Sequence, residues 1–298
     1  MMNNPFSDDF SAYKELLSKH HAEAVAVARQ MAQAPSLARR ADRMMNCSKF
    51  TSGILCPKCH SFHVNQASLC RDRLCPNCGW ALSRRRATAI VRALDGMSAI
   101  YDFAVLHVML SVQHTEFSDL RKMLDGMNAA VGRLLRMPRV RCHLLGCVRS
   151  LEITRTQNGF HPHFHMMWIV DPEYWHEMIE QDELCRLWQK AMDADYKPVC
   201  WIKQAYSQDH PESLKDAIYE CVKYCFKPSS WRDLDAVGIA ALADSLSKRR
   251  LFAVSIKPFV SVFNRALADL DRPDEEFPNT PCKRCGNNRV AVTINAEG

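Results

Sequence analysis

The pattern of apolar and polar positions divides the chain into helices and strands that do not alternate regularly. Apolar residues at helical spacing predict helices over residues 11–46 with a break near Pro35, 83–94, 117–136, 173–193 and 213–226. Apolar or alternating runs predict strands over residues 101–112, 148–156, 160–170, 199–205 and 251–263. Because the order is irregular and one pair of strands reads as an antiparallel hairpin, we expect an α+β fold.

The hairpin is predicted from the segment Gln157-Asn158-Gly159, which separates two alternating runs. Asn-Gly between such runs is a strong signal for a two-residue turn. A turn formed by Asn158 and Gly159 places Glu152 opposite His165 and Thr154 opposite His163. Directly opposed side chains share one face of a sheet, with Cβ atoms roughly 5 Å apart.

Three histidines in the second strand of this hairpin alternate with other residues, in the order His161-Pro-His163-Phe-His165. In a strand they project from one face, the face that also carries Glu152. Two imidazoles and a carboxylate with open positions suit a divalent metal such as Mn²⁺ or Mg²⁺ that acts as a Lewis acid. We expect His163, His165 and Glu152 to hold it, with His161 as the competing third ligand.

Composition narrows the class of protein. The chain has 298 residues, of which 47% are hydrophobic and 24% charged, which is typical of a soluble globular protein. No apolar run reaches the length needed to cross a bilayer, and the first residues, MMNNPFSDDF, lack the pattern of a signal peptide. We therefore expect a cytoplasmic protein without a membrane partner. The net charge of +6 weakly favours a polyanionic partner.

The 14 cysteines predict metal sites rather than disulfides, because no export signal accompanies them. Two Cys-x2-Cys pairs, Cys56/Cys59 and Cys75/Cys78, have the spacing of a structural zinc site. Cys70 is a fifth candidate, His60 and His63 are weaker ones, and Cys282/Cys285 near the C-terminus form a half-site that needs a partner pair. Seven cysteines and a histidine can fill two tetrahedral zinc sites, and the sequence leaves their grouping open.

Two further segments carry candidate chemistry. On the predicted helix 213–226, Glu220, Lys223, Tyr224 and Lys227 fall on one stripe, since they lie at i, i+3, i+4 and i+7. A phenol beside two ammonium groups and a carboxylate suits attack on a phosphodiester. The alternative is an ordinary amphipathic surface helix. The helix 83–94 opens with the basic run Arg84, Arg85 and Arg86, which we expect to contact DNA.

Several of these motifs together resemble a known family. The run Cys70-Arg-Asp-Arg-Leu-Cys75-Pro-Asn-Cys78, the strand Leu110-Ser111-Val112, Glu152 with His-Pro-His-Phe-His, and Glu220 with Lys223-Tyr224 occur in this order. Their arrangement, over roughly residues 55–260, resembles the plasmid rolling-circle Rep proteins of the HUH endonuclease superfamily. His107 and Ser111 depart from the pattern, because relatives tend to have Leu-Thr there, and His107 is a further candidate ligand.

The resemblance implies an antiparallel sheet that carries the metal-binding histidines, with the tyrosine helix beside it. It implies that His163 and His165 are the paired metal ligands, that Tyr224 is the nucleophile, and that Glu220 activates water at termination. We expect four segments: helical residues 1–46, a zinc module with a basic helix over 47–98, the nuclease domain over 99–268, and a C-terminal tail over 269–298.

The expected function is initiation of rolling-circle replication. The protein would nick single-stranded or hairpin origin DNA through a 5′-phosphotyrosine and leave a 3′-OH for a polymerase, with a host helicase and DNA polymerase as partners. Two alternatives stay open. One is a single-tyrosine transposase of the same superfamily, and the other is a non-catalytic, zinc-dependent DNA-binding regulator.

Overall fold

The computed structural model describes residues 9–157, 159–206, 214–222, 234–271 and 278–297. Its centre is a five-stranded sheet in the order β6-β3-β5-β4-β7, in which each neighbouring pair is antiparallel. The strands are β3 (Ala104–Ser111), β4 (Leu144–Thr156), β5 (Gly159–Val170), β6 (Cys200–Tyr206) and β7 (Phe252–Ser255).

A second sheet has three antiparallel strands in the order β2-β1-β8. Its strands are β1 (Phe50–Leu55), β2 (Phe62–Ala67) and β8 (Val290–Asn295). The C-terminal strand pairs with β1, so that Phe50 lies opposite Asn295. The C-terminal segment therefore belongs structurally with the cysteine-rich part of the chain near its start.

Helices surround both sheets. They are α1 (Phe10–Met31), α2 (Ala38–Met45), α3 (Pro76–Ser98), α4 (Phe117–Leu134), α5 (Pro138–Arg141), α6 (Gln181–Met192), α7 (Leu214–Val222), α8 (Ala236–Ser245) and α9 (Phe259–Asp271). Short 3₁₀ helices cover Pro35–Leu37 and Pro172–His176. Antiparallel sheets packed against helices confirm the predicted α+β class. Among the described residues, no helix is both long and apolar enough to cross a membrane.

The central strand β5 is buried on both faces. Phe160, Phe164 and Trp168 point into a core shared with α4, α6 and α8. Met167 and Ile169 point the other way, into a second core shared with α3, α7 and α9. Helices therefore cover both faces of the sheet. The histidines lie on the second face, where α7 reaches His165.

The predicted hairpin register is wrong by two residues. Glu152 lies opposite His163, Thr154 opposite His161, and Thr156 opposite Gly159. Gly159 therefore pairs within the ladder instead of forming the turn, and Asn158, the other predicted turn residue, lies outside the described residues.

The reason for this register lies at Gly159, which has φ +104°. A Cβ atom there would come within 2.5 Å of the carbonyl oxygen of Thr115. Thr115 and Phe160 exchange two backbone hydrogen bonds of 2.8 Å, which tie this end of β5 to the chain that leaves β3. The long-range contact thus outweighs the local preference of Asn-Gly for the turn.

Other predictions were wrong in detail. The strand predicted over 251–263 ends at Ser255, and α9 begins at Phe259, directly after Pro258. Phe259 and Phe263 are spaced for a helix and both are buried in the second core. The helix predicted over 173–193 is a 3₁₀ helix followed by α6, and β1, β2, β8 and α8 were not predicted.

Candidate functional site

Three ligand-type side chains converge on the second face of the central sheet. Oε2 of Glu152 lies 3.2 Å from Nε2 of His163 and 2.9 Å from Nε2 of His165. The ligand atoms of the three residues all lie within 4.8 Å of one another. Glu152 and His165 are buried, at 4% and 7% exposure. The two-residue error in register left this convergence intact because side chains in a strand alternate with a period of two.

Contacts on the far side of each imidazole orient it. Nδ1 of His163 lies 3.3 Å from the backbone carbonyl of His161, so a proton on Nδ1 donates to that oxygen. This leaves the lone pair of Nε2 directed toward Glu152, as in metal-binding histidines.

His107 is placed behind His165 instead of beside it as a third imidazole ligand. Nε2 of His107 lies 3.3 Å from Nδ1 of His165, on the nitrogen that faces away from Glu152. His107 is 3% exposed, and its ring packs edge-on against Trp201 with centroids 4.5 Å apart. His107 is therefore placed to orient the ring of His165.

His161, the alternative ligand, stacks on His114 with ring centroids 4.8 Å apart and lies outside the group of three converging residues. Burial lowers the pKa of His161 below its usual value, and the neighbouring His163 and His114 lower it further. His161 therefore lies beside the site in surroundings that disfavour its charged form.

Helix α7 brings one more acid to the site. Oε2 of Glu220 lies 3.8 Å from Nδ1 of His165, and the side chain is partly exposed. Ile218 and Cys221 of the same helix are buried in the second core. The hydroxyl of Ser83 on α3 donates to the carbonyl of Val222, which fixes the last described turn of α7. Of the predicted stripe, Glu220 is described, whereas Lys223, Tyr224 and Lys227 lie outside the described residues.

Eight of the described cysteines form two clusters. The first combines Cys47, Cys70, Cys75 and Cys78, and the second combines Cys56, Cys59, Cys282 and Cys285. The two Cys-x2-Cys pairs that the sequence suggested for one site are thus in different clusters. Each cluster consists of four thiols, so His60 and His63 are not needed. Cys47 was missed because it has no cysteine at short spacing to signal it.

The geometry of both clusters fits zinc. Sγ atoms in the first cluster are 3.5 Å apart for Cys47 and Cys78. In the second cluster the Sγ atoms of Cys56 and Cys285 are 3.4 Å apart. Tetrahedral Zn²⁺ with bonds of about 2.3 Å separates its sulfur ligands by about 3.8 Å, close to these values.

The electrostatics of the first cluster point the same way. The neighbouring thiols of Cys47, Cys70 and Cys78 raise the pKa of Cys75 above its usual value. Four thiolates this close repel one another unless a cation lies between them. Backbone N–H groups also donate to the sulfurs, as from Arg71 to Cys78 at 3.2 Å.

The predicted basic run does not form one surface. Successive helix positions are about 100° apart, so three consecutive arginines point in different directions. The Arg84 guanidinium lies over the ring of Tyr13 at 5.1 Å, whereas that of Arg86 lies over Phe252 at 4.4 Å. Of the three, Arg86 lines the cavity described below.

The chain is similar to known replication proteins. The model of a family described as "Replication protein" matches residues 61–279, which is more than half of the chain. A protein named "Protein rep" from Bacillus amyloliquefaciens is 28% identical over 239 residues, covering 73% of this chain and 70% of that protein.

Two further proteins of the same name match shorter regions. One from a Bacillus species is 29% identical and covers 57% of each chain, and one from Lentilactobacillus hilgardii is 31% identical and covers 54% of each chain. The match to the Bacillus species protein thus spans little more than half of its length. No solved structure matches the chain.

Proposed function

The chain belongs to the replication protein family, and on that premise we propose that it is a rolling-circle replication initiator of the HUH endonuclease type. It would nick single-stranded or hairpin origin DNA with Tyr224 as the nucleophile. The observation that carries this proposal is the convergence of Glu152, His163 and His165 on a sheet face next to Glu220.

The donor set fits a divalent cation. Two imidazole nitrogens and one carboxylate are ligands that first-row divalent metals accept, and the imidazoles favour Mn²⁺ over Mg²⁺, which prefers oxygen. His163, His165 and Glu152 would hold the ion. When bound, it would act as a Lewis acid that polarises the scissile phosphate.

The protein's own residues would position and complete the reaction. Glu152 supplies one negative charge, and His107 holds the ring of His165 from behind. The Ser83–Val222 contact fixes the end of α7 from which Tyr224 follows after one further residue.

The chemistry proposed for this segment is a transesterification. The phenol of Tyr224 loses its proton as its oxygen forms a bond to phosphorus. The bond from phosphorus to the 3′ oxygen breaks, and that oxygen leaves as a protonated 3′-OH for a host polymerase. Lys223 and Lys227 would hold the phosphate and favour the phenolate. Glu220 would later accept a proton from the water whose oxygen bonds to phosphorus, while the bond from phosphorus to the Tyr224 oxygen breaks and the phenol leaves protonated.

We propose that residues 99–268 form the endonuclease domain. Residues 1–46 would form a helical segment and residues 47–98 a zinc module beside it. The two cysteine clusters would each hold one structural Zn²⁺ ion. The C-terminal residues 269–298 contribute β8 and two cysteines to that module. Host helicase and DNA polymerase are the expected partners, and the cytoplasm is the expected location.

The decisive test separates an enzyme from a regulator. Full-length protein is incubated with single-stranded DNA of random sequence, with Mn²⁺ or with EDTA, and the products are resolved on a denaturing gel. Metal-dependent cleavage that leaves one end bound to protein supports the proposal. Tight DNA binding without any cleavage would instead identify a zinc-dependent regulator.

A further inference from the structure

An arginine-lined cavity of about 600 Å³ lies at the β7 edge of the central sheet, between the first cysteine cluster, α3 and the connection from α8 to β7. Its basic lining residues are Arg40, Arg71, Arg73, Arg86, Arg249 and Arg250. Among the described residues of the lining, Asp72 is the one acid. The cavity therefore has a strong excess of positive charge.

Two of these arginines are committed to structural ion pairs. Arg40 donates to both carboxylate oxygens of Asp72, at 2.7 and 3.0 Å. Arg249 donates to Asp125 at 2.6 Å. Within the described part of the chain, Arg71, Arg73 and Arg250 are exposed and form no ion pair with an acid. Their charge is left for a bound anion.

The first cysteine cluster sets the position of two of these side chains. Arg71 and Arg73 lie on the short loop between Cys70 and Cys75, both of which belong to the cluster. Arg71 has φ +59°, and its N–H donates to Cys78. Metal bound at the cluster would therefore hold both arginines on the cavity wall.

Apolar side chains also line the cavity, next to the arginines. Leu82 lines the cavity with 42% of its surface exposed, and Leu251 and Phe252 lie beside it. Aromatic and apolar surfaces next to arginines suit nucleotides, because bases pack on such surfaces while phosphates contact the guanidinium groups. An inorganic anion has no apolar surface that could pack against these side chains.

The cavity also adjoins the candidate metal site. Ser150 lines the cavity, and it lies opposite His165 in the β4–β5 ladder. Opposed residues of antiparallel strands are separated by about 5 Å between Cα atoms. The cavity lining and the metal site therefore meet at one residue pair of the β4–β5 ladder.

We propose that this cavity binds the phosphate backbone of the single-stranded DNA next to the nicked phosphodiester, with Arg71, Arg73 and Arg250 as the phosphate contacts. The inference rests on the proposed function for the identity of the strand. It adds a binding subsite outside the histidine face, one that is built by the cysteine cluster.

The test measures the salt dependence of DNA binding in the full-length protein with Tyr224→Phe, so that no cleavage interferes. Each lost phosphate contact on single-stranded DNA lowers the slope of log Kd against log salt by about 0.7. Arg71→Ala with Arg73→Ala should lower it by about 1.4. The double Lys variant, which keeps both charges, and Arg186→Ala on the exposed side of α6 should leave it unchanged.

Zinc content and thermal stability are measured for each variant. If the double Ala variant loses zinc, Arg250→Ala, which lies outside the loop, decides the question with an expected decrease of about 0.7. An unchanged slope in the folded variants overturns the proposal. Binding of a nucleoside monophosphate that depends on Arg71, with DNA affinity unchanged, overturns it as well, because the cavity would then serve a small molecule.

The nicking assay on otherwise wild-type protein separates this inference from the proposed function. Nicking with arginine-independent DNA binding would refute the cavity alone. Arginine-dependent binding without any nicking would refute the endonuclease and leave the cavity as a DNA site.

Discussion

The histidine face and the cysteine clusters both consist of metal-ligand side chains, yet they are assembled differently. Glu152, His163 and His165 come from two adjacent strands of one hairpin. The second cysteine cluster joins Cys56 and Cys59 to residues from the other end of the chain. The hairpin ladder and packing on both faces hold the histidine site, whereas each cysteine cluster places four thiols together that repel one another as thiolates unless a cation lies between them. Metal should therefore matter for folding at the cysteines and for chemistry at the histidines.

The largest expected effect is loss of the first cysteine cluster. Cys47→Ser removes one of four thiols, and the remaining three would bind the proposed zinc weakly. Loss of a structural metal belongs to the few changes that cost more than about 4 kcal/mol of stability. Thermal unfolding and zinc analysis measure it, with exposed Cys142→Ser as the matched control. A Cys47→Ser variant with full zinc content and normal melting would remove Cys47 from the cluster.

The contrasting change is His163→Ala. It removes a metal ligand from a face that the hairpin already holds, so stability should fall by only about 1 kcal/mol, the value of a lost hydrogen bond. Mn²⁺ binding and DNA cleavage should both disappear, while zinc content stays at the wild-type value. Calorimetric titration with Mn²⁺ and a melting curve decide it. If the His163→Ala variant unfolds, the histidine site supports the fold as the cysteine clusters do, and the contrast between them is wrong.

A smaller effect is expected at His107, which acts through His165. His107→Ala should lower affinity for Mn²⁺ by about 10- to 100-fold, as for other residues that orient metal-bound imidazoles. His107→Gln, which can still hydrogen-bond to Nδ1 of His165, should recover part of the loss. Mn²⁺ titration is the measurement, since a purely structural role would change melting but not affinity. Equal affinities in all three proteins would exclude the positioning role.

Of these substitutions, Glu220→Ala should change the first nick least. The carboxylate is partly exposed, so its loss should cost less than about 1 kcal/mol of stability. The first nick and the covalent adduct should persist, whereas products longer than one unit should accumulate because termination fails. Replication of an origin-bearing double-stranded circle measures both steps. Equal loss of nicking and termination, or normal termination, would contradict the proposed role.

Features that depend on contacts between residues close in the sequence could be predicted, and features that depend on contacts between distant residues could not. The convergence of Glu152 with His163 and His165 was predictable because it needs only a hairpin and the alternation of a strand. The register itself was not, since Thr115 determines it from outside the hairpin.

Longer-range features were harder to predict. Cys47 has no local motif, and its ligand role depends on the loop that begins at Cys70. The cavity joins arginines from residues 40 to 250, which no local pattern connects. Helix α9 was misread as a strand because Phe259 and Phe263, four residues apart, share a face in either element, and the predicted strand was extended through Pro258 although proline favours a boundary there.

The most direct test of the central claim is the identity of the residue bonded to DNA. Full-length protein is incubated with single-stranded DNA and Mn²⁺, the covalent adduct is digested, and the modified peptide is identified by mass spectrometry. The account predicts an adduct on Tyr224 that is absent in Tyr224→Phe and retained in Tyr219→Phe, whose tyrosine is 55% exposed on α7. An adduct that survives Tyr224→Phe and disappears in Tyr219→Phe would contradict the account.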